Sequence, residues 1–209
     1  MICTGCGARV SQLVAKYGQD KCPLPCPECD QIADPYVEWD GVLIFIDLVL
    51  HKPSCYRHLL FNRLLCGFET SQLLAKLWLC LFSFVMIFER RRGAVFLEII
   101  LMFLLLEIVF YPKQKTSTIQ IALLSSAFPR LLRLIAHIFD YAGMVEECDW
   151  LVRIFVFTSL GEAVYAMMQS DHLPSNTNRP LSKYLSSYAV VAIGQSAAWG
   201  VCQLLANQN

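Results

Sequence analysis

Residues 94–111 read AVFLEIILMFLLLEIVFY, an apolar stretch of eighteen residues in which only Glu98 and Glu107 are charged. As an α-helix this stretch would be about 27 Å long, close to the ~30 Å thickness of the hydrocarbon core of a bilayer. The whole chain of 209 residues is also rich in apolar residues: 56% of it is hydrophobic, 16% is charged and the mean hydropathy is +0.48. This composition predicts a membrane protein rather than a soluble domain.

Four further segments are long enough to cross a bilayer, at residues 69–88, 119–139, 150–169 and 184–206. Polar residues interrupt the first, the second and the last of these, so we expect three to five crossings in all. The sequence therefore predicts a mostly α-helical fold, in which residues 69–209 form a multi-span transmembrane helical bundle.

Residues 41–68 are predicted to form an interfacial or re-entrant helical segment between an N-terminal head and the bundle. The apolar stretch 42–50 is nine residues long and contains Asp47, so it is too short to span a bilayer. Basic side chains in this segment are placed to reach lipid phosphates: Lys52, Arg57, His58 and Arg63. The alternative is a soluble helical hairpin beneath the head.

The ten cysteines of the chain fall into two groups. Five lie within the first 29 residues, and the others are scattered through apolar sequence, where a lone cysteine is usually a small buried hydrophobe. In the first group, CTGC at 3–6 and CPEC at 26–29 are both Cys-x2-Cys, with nineteen residues between them. Zinc ribbons have this spacing, because two tight turns then present four thiolates to one tetrahedral metal.

A structural zinc ion would supply stability that a head of residues 1–40 lacks. Some forty residues with few large apolar side chains bury too little surface to fold alone. The predicted ligands are Cys3, Cys6, Cys26 and Cys29. Cys22 is an alternative partner of Cys26, and disulfides or redox exchange are the alternatives to zinc. A catalytic metal is disfavoured, since four thiolates leave no open coordination position.

Charged residues inside the predicted spans are expensive in lipid and should face one another or a wet cavity. When the spans are folded as antiparallel hairpins, Glu107 falls at the depth of Lys76, and Glu98 falls at the depth of Arg130 and Arg133. We therefore predict one ion pair between Glu107 and Lys76, and a second between Glu98 and either Arg130 or Arg133.

Arg130, Arg133, His137 and Asp140 follow one another at spacings of three and four, so they share one helix face. This polar stripe either makes contacts between helices and snorkels near a membrane surface, or lines a cavity for a lipid headgroup. An enzyme could use His137 as a base beside Asp140. No nucleophile motif, phosphate loop or pair of acids accompanies them, so the sequence predicts a protein that is not an enzyme.

The distribution of charge argues against nucleic acid as a partner. The net charge is zero, and residues 1–40 carry three basic and six acidic side chains. A head that binds nucleic acid would instead present a basic face.

Four motifs, in order, resemble the eukaryotic Arv family: MICTGCG at 1–7, CPEC at 26–29, DPYVEWDGVLIFIDLVLHK at 34–52 and YRHLLFN at 56–62. The resemblance is detailed over about the first 65 residues, and beyond them it extends only to a hydrophobic multi-span region. It implies zinc binding by the same four cysteines. It places the core motif of the family on Asp34, Tyr36, Glu38, Asp47, Lys52, Tyr56, Arg57, His58 and Asn62.

The resemblance implies a multi-pass endoplasmic-reticulum membrane protein of sterol and sphingolipid homeostasis, intracellular lipid transport and glycosylphosphatidylinositol anchor biosynthesis. Its partners would be membrane lipids: a sterol, a phospholipid or an anchor intermediate. The expected lipid or partner contacts are Lys52, Tyr56, Arg57, His58, Asn62, Arg130, Arg133 and His137. The alternative for Arg57 and His58 is that they bond the head to the first helix. The alternative function is a scaffold subunit of a glycolipid-synthesising or acyltransferase complex.

Overall fold

The computed structural model describes residues 1–17, 20–38, 41–63, 70–88, 92–111, 113–132, 145–169 and 181–206. These residues are mostly helical and include a two-stranded antiparallel sheet near the N-terminus. The strands are β1 (Val14–Tyr17) and β2 (Asp20–Pro23). The α-helices are α1 (Gly41–Val49), α2 (Pro53–Arg57), α3 (Thr70–Phe88), α4 (Arg92–Phe110), α5 (Thr116–Ala127), α6 (Val145–Gln169) and α7 (Leu181–Ala206).

The head has a small core of its own. The hairpin of β1 and β2 pairs Val14 with Pro23 and Tyr17 with Asp20. Beneath it lie mostly small buried side chains, namely those of Cys3, Ala8, Val10, Leu13, Cys26 and Ala33. A core of this size buries little apolar surface, so the head needs a further source of stability.

A sequence of short helices connects the head to the long helices. A 3-10 turn at Pro35–Val37 precedes α1, and a π-helical segment, His58–Asn62, continues directly from α2. Pro53 occupies the first position of α2, where its missing N–H leaves no intrahelical bond unmade. With nine residues, α1 is too short to span a bilayer, and it exposes apolar side chains such as Val42 and Phe45.

The long helices pack around one continuous core. In this core α6 lies against α5 and α7, and α4 packs against α7 more extensively than against α3. Close approach of α6 and α7 depends on Gly161, because a Cβ atom there would lie 2.6 Å from the ring of Tyr188. The largest fully buried side chains of this core include Tyr56, Leu60, Leu106, Ile119, Met167 and Val191.

Two helices of the described residues are long and apolar enough to cross a membrane, over Gly93–Phe110 and Asp149–Gln169. They coincide, to within one residue at each end, with the predicted spans 94–111 and 150–169. A shorter apolar helix covers Leu74–Ile87. In α3, α4 and α6 the outward faces carry exposed large apolar side chains, among them Leu79, Phe82, Ile100, Ile108 and Ile154.

The prediction of a continuous helix over 119–139 is wrong within the described residues. The α-helix α5 ends at Ala127, and a 3-10 helix, Phe128–Leu131, follows it. Pro129 explains the break, since proline lacks the N–H that an α-helix needs at this position and its ring crowds the preceding turn. Residues 133–139 lie outside the described residues.

Candidate functional site

The four predicted cysteines of the head lie together. The sulfur atoms of Cys3 and Cys29 are 3.8 Å apart, those of Cys6 and Cys26 are 3.7 Å apart, and all four lie within 4.8 Å of one another. A disulfide would hold two sulfurs at about 2.05 Å. The edge of a tetrahedron with metal–sulfur bonds of about 2.3 Å is close to 3.8 Å. The cluster could therefore hold a metal ion, whereas Cys22 is exposed on β2, outside it.

Each Cys-x2-Cys turn has the same backbone geometry. The N–H of Cys3 donates to Ala8 O at 2.8 Å, and the N–H of Cys26 donates to Gln31 O at 2.7 Å. The residue after each second cysteine has a positive φ, +84° at Gly7 and +56° at Asp30. Glycine and aspartate are among the residues that adopt this conformation most readily, which explains their places in the sequence.

The surroundings of the thiols affect metal binding. Burial raises the pKa of the Cys3 thiol and raises that of Cys6 to about 12. At Cys26 burial also acts to raise the pKa, but hydrogen bonds from the N–H groups of Glu28 and Cys29 help to lower it overall. Because thiols must lose their protons to bind a metal, the raised pKa values mean that binding releases protons and weakens as the pH falls.

Below the cysteines, four buried side chains join the head to the short helices: Asp34, Arg57, His58 and Asn62. We call this set the buried latch. The carboxylate of Asp34 is fully buried and accepts from Tyr36 N at 3.1 Å, from His58 Nδ1 at 2.7 Å and from Asn62 Nδ2 at 2.6 Å. A buried carboxylate is costly without partners, and these three donors satisfy it.

Asn62 also bonds both polar groups of the Ile2 backbone. Its Oδ1 accepts from Ile2 N at 3.0 Å, and its Nδ2 donates to Ile2 O at 2.8 Å. The side-chain amide of Asn62 thus makes the two hydrogen bonds that the backbone of a neighbouring β-strand would make with Ile2. Ile2 directly precedes Cys3. The first Cys-x2-Cys turn is thereby fixed to the π-helical segment.

Arg57 contacts the first cysteine turn itself. Its Nη1 donates to Thr4 O at 2.6 Å and to Gly5 O at 2.7 Å, and its Nη2 donates to the side chain of Gln169 at the end of α6. The Gln169 side chain also packs beneath Gly7. One guanidinium therefore connects the two residues between Cys3 and Cys6 with a long helix of the bundle.

Other polar residues of the predicted family motif make hydrogen bonds close to the buried latch. Tyr36 donates to Asp47 Oδ2 at 2.9 Å, and the other oxygen of Asp47 pairs with Lys52 at 2.6 Å. Burial raises the pKa of Tyr36, so its hydroxyl stays protonated and able to donate at physiological pH. Tyr56, fully buried, bonds Ser159 of α6 at 2.7 Å.

These positions correct part of the prediction of lipid contacts. Tyr56, Arg57, His58 and Asn62 are buried among protein groups instead of facing lipid. Arg57 and His58 thus follow the alternative, in which they bond the head to the helices. Lys52 is half exposed beside Asp47. The predicted contacts Arg133 and His137 lie outside the described residues.

One predicted ion pair is present and one is absent. Arg130 Nη2 lies 3.4 Å from Glu98 Oε2, as the hairpin argument predicts. In the described part of the chain no ion pair joins Lys76 to Glu107: Lys76 is exposed, and Glu107 Oε1 is buried without a hydrogen bond. That pairing was wrong because α3 and α4, which carry the two residues, share only a small contact surface.

A groove of about 560 Å³ opens between α1, the π-helical segment, α3, α5 and the 3-10 helix that follows α5. Its wall on α3 extends from Leu74 to Phe84, a rise of about 15 Å along the helix. The lining is apolar except for Arg63, Ser125 and Arg130. Of the polar stripe that the sequence predicts could line a cavity, Arg130 does line this groove. The sequence did not predict the groove's apolar wall, because separate segments assemble it.

Comparison with known proteins assigns a family to the first part of the chain. A family model described as Arv1-like family matches residues 2–92. These residues form an Arv1-like family domain and make up somewhat less than half of the chain. Protein ARV 1 of Arabidopsis thaliana is 38% identical over 86 residues, which are 41% of this chain and 34% of that protein. Protein arv1 of Schizosaccharomyces pombe is 38% identical over 101 residues, 46% of this chain and 38% of that protein.

Protein ARV1 of Mus musculus is 29% identical over 212 residues, which cover 86% of this chain and 76% of that protein. The matched part of the chain spans less than half the length of the plant and fission-yeast relatives. No solved structure matches the chain. The Arv1-like match includes both cysteine turns, the buried latch and α3. The 3-10 helix Phe128–Leu131, which contains Arg130, lies beyond it.

Proposed function

We propose that this Arv1-like protein is a non-enzymatic endoplasmic-reticulum membrane protein that holds or passes a membrane lipid. In that role it would serve sterol and sphingolipid homeostasis and intracellular lipid transport, and support glycosylphosphatidylinositol anchor biosynthesis. The observation that carries the proposal is the apolar groove of about 560 Å³. Pockets of this size are typical of sites for small hydrophobic ligands.

The exposed apolar surfaces support a position in the membrane. The windows Gly93–Phe110 and Asp149–Gln169 have the length and composition of spans, and α3 presents an apolar face beside them. At the surface, α1 exposes Val42 and Phe45, as a helix lying in the interface does, and Leu50, which directly follows it, is exposed as well. With α3 along the membrane normal, the groove would run parallel to the lipid chains, so a hydrocarbon chain could enter it from the side.

We also propose that the metal in the head is a structural zinc ion. Four thiolates in tetrahedral positions suit zinc, and they close its coordination sphere against water or substrate. Cys3, Cys6, Cys26 and Cys29 would hold the ion, which would stabilise the small core of the head. The buried latch would then fix this head rigidly to the helices that form the groove.

Photocrosslinking in cells tests the lipid-holding function. Cells that express the full chain are fed a photoreactive, clickable fatty acid, illuminated, and the adducts on the purified protein are mapped by mass spectrometry. Adducts should concentrate on residues 74–84 and 121–131, since these segments line the groove. Adducts spread equally over the outward faces, including Ile100 and Ile108 of α4, would contradict the proposal.

Two tryptophan variants provide a matched control. Cys80 is small, exposed and part of the groove lining, so Cys80→Trp should obstruct the groove and reduce the adducts there. Leu79 is 65% exposed and does not line the groove, so Leu79→Trp should leave the adducts in place. Equal adduct yields from the two variants would show that the lipid does not occupy the groove.

A further inference from the structure

We infer that the groove selects its lipid by charge: it takes a hydrocarbon chain of an anionic glycerophospholipid, and Arg63 binds the phosphate. This inference rests on the proposed lipid-holding function and names the class of lipid. It follows from the chemistry of the groove wall and from the position of Arg63 relative to the head.

The apolar wall cannot discriminate between lipids. Inside a bilayer a hydrocarbon chain leaves an environment as apolar as the groove, so burial of the chain gives little net gain and does not depend on the headgroup. Selection must therefore come from the polar groups of the lining. These are Arg63, Ser125 and Arg130, and both charged groups among them are cationic.

The two arginines differ in accessibility. Arg130 is 5% exposed and lies beside Glu98, whose carboxylate offsets its charge. Arg63 is exposed, and within the described ranges no carboxylate forms an ion pair with it. Arg63 is therefore the cation that an incoming headgroup can reach.

The place of Arg63 in the fold suits a headgroup. It directly follows Asn62, whose side chain bonds Ile2 of the head, so it lies where the helices meet the head. If the head stands outside the membrane, this is the level of the lipid phosphates. A guanidinium can donate two parallel hydrogen bonds to a phosphate, and basic pockets between membrane helices are known to bind anionic headgroups.

Competition between two lipids with identical chains tests the inference. The full chain with its metal is placed in vesicles of equal parts dioleoyl phosphatidylglycerol and dioleoyl phosphatidylcholine, extracted gently and weighed by native mass spectrometry. The wild type should retain the anionic lipid in about fivefold preference. Arg63→Gln should retain both lipids about equally, while Arg153→Gln, at an exposed arginine of α6 outside the groove, should keep the preference.

Equal retention of the two lipids by the wild type would overturn the headgroup inference and leave the lipid-holding function standing. An unchanged preference in Arg63→Gln would overturn the role of Arg63. Absence of any retained lipid in the wild type would overturn both proposals. Should Arg63→Gln fail to fold, the same assay on the wild type at rising salt decides: an exposed charge pair is screened, so a preference unaffected by salt contradicts the inference.

Discussion

Removing the metal from the four-cysteine centre should unfold residues 1–38 while α4 and α6 stay folded. The head core consists mainly of small side chains, and a structural zinc ion in a domain of this kind contributes roughly 10–16 kcal/mol of apparent binding free energy. Hydrogen–deuterium exchange after chelation measures the effect. The N–H groups of Cys3, Gly7, Cys26 and Asp30 should lose protection, because their acceptors lie within the cysteine turns.

Two serine variants distinguish the effect of losing the metal from the effect of removing a thiol group that does not bind it. Cys26→Ser removes a ligand and should reproduce the effect of chelation. Cys22→Ser changes an exposed thiol four residues away and should leave the protection unchanged. If the four N–H groups stay protected after complete removal of the metal, the ion is not what stabilises the head.

Replacing Arg57 with alanine should loosen the head from the helices even with the metal bound. The change removes hydrogen bonds from a guanidinium to Thr4 O, Gly5 O and Gln169, and it takes this donor away from the buried Thr4 O. Since hydrogen bonds to charged groups contribute about 1.5–3 kcal/mol each, we expect a loss of at least about 3 kcal/mol in the free energy of unfolding. Thermal unfolding of the metal-loaded protein measures it.

Two further variants control for loss of charge and loss of packing. Arg57→Lys keeps the charge, but a single ammonium cannot reproduce the forked contacts, so it should recover only part of the stability. Arg9→Ala removes an exposed arginine of the head and should change stability by less than about 0.5 kcal/mol. Equal unfolding temperatures for Arg57→Ala and Arg9→Ala would show that the buried latch does not hold the head.

The four-cysteine cluster could be predicted from the sequence because its geometry is local. Two Cys-x2-Cys turns each place two thiol groups by the backbone of a few residues, so spacing alone identifies the four cysteines that come together. The structure confirms the cluster and separates Cys22 from it. The apolar windows at Gly93–Phe110 and Asp149–Gln169 could be predicted for a similar reason, since length and composition are properties of one segment.

The buried latch could not be predicted in this way. Basic residues beside an apolar segment resemble an interface with lipid, and nothing local to Arg57 or His58 shows that Thr4 and Asp34 lie against them. The contacts between the head and the short helices join residues 24 to 60 positions apart. The resemblance to a family placed Asp34, Arg57, His58 and Asn62 in one motif. Only the fold shows that His58 and Asn62 both bond Asp34, and that Arg57 bonds the first cysteine turn.

Predictions that depended on helix packing had mixed outcomes. Folding the spans as hairpins gave the correct depth for Glu98 and Arg130. The same argument failed for Glu107 and Lys76, because equal depth does not make two side chains face each other and α3 and α4 share little surface. The break at Pro129 shows a second limit. Apolar composition predicted one helix over 119–139, although a single proline is enough to end an α-helix.

Native mass spectrometry of the full chain, extracted gently from its own membrane, tests the central claim most directly, that a metal-stabilised head is joined to a helical body that holds a lipid. We predict one zinc ion and one lipid per chain, without other protein subunits. The contradicting result is a chain that carries zinc but no specific lipid and is extracted from the membrane in a complex with defined subunits. That result would identify the protein as a scaffold.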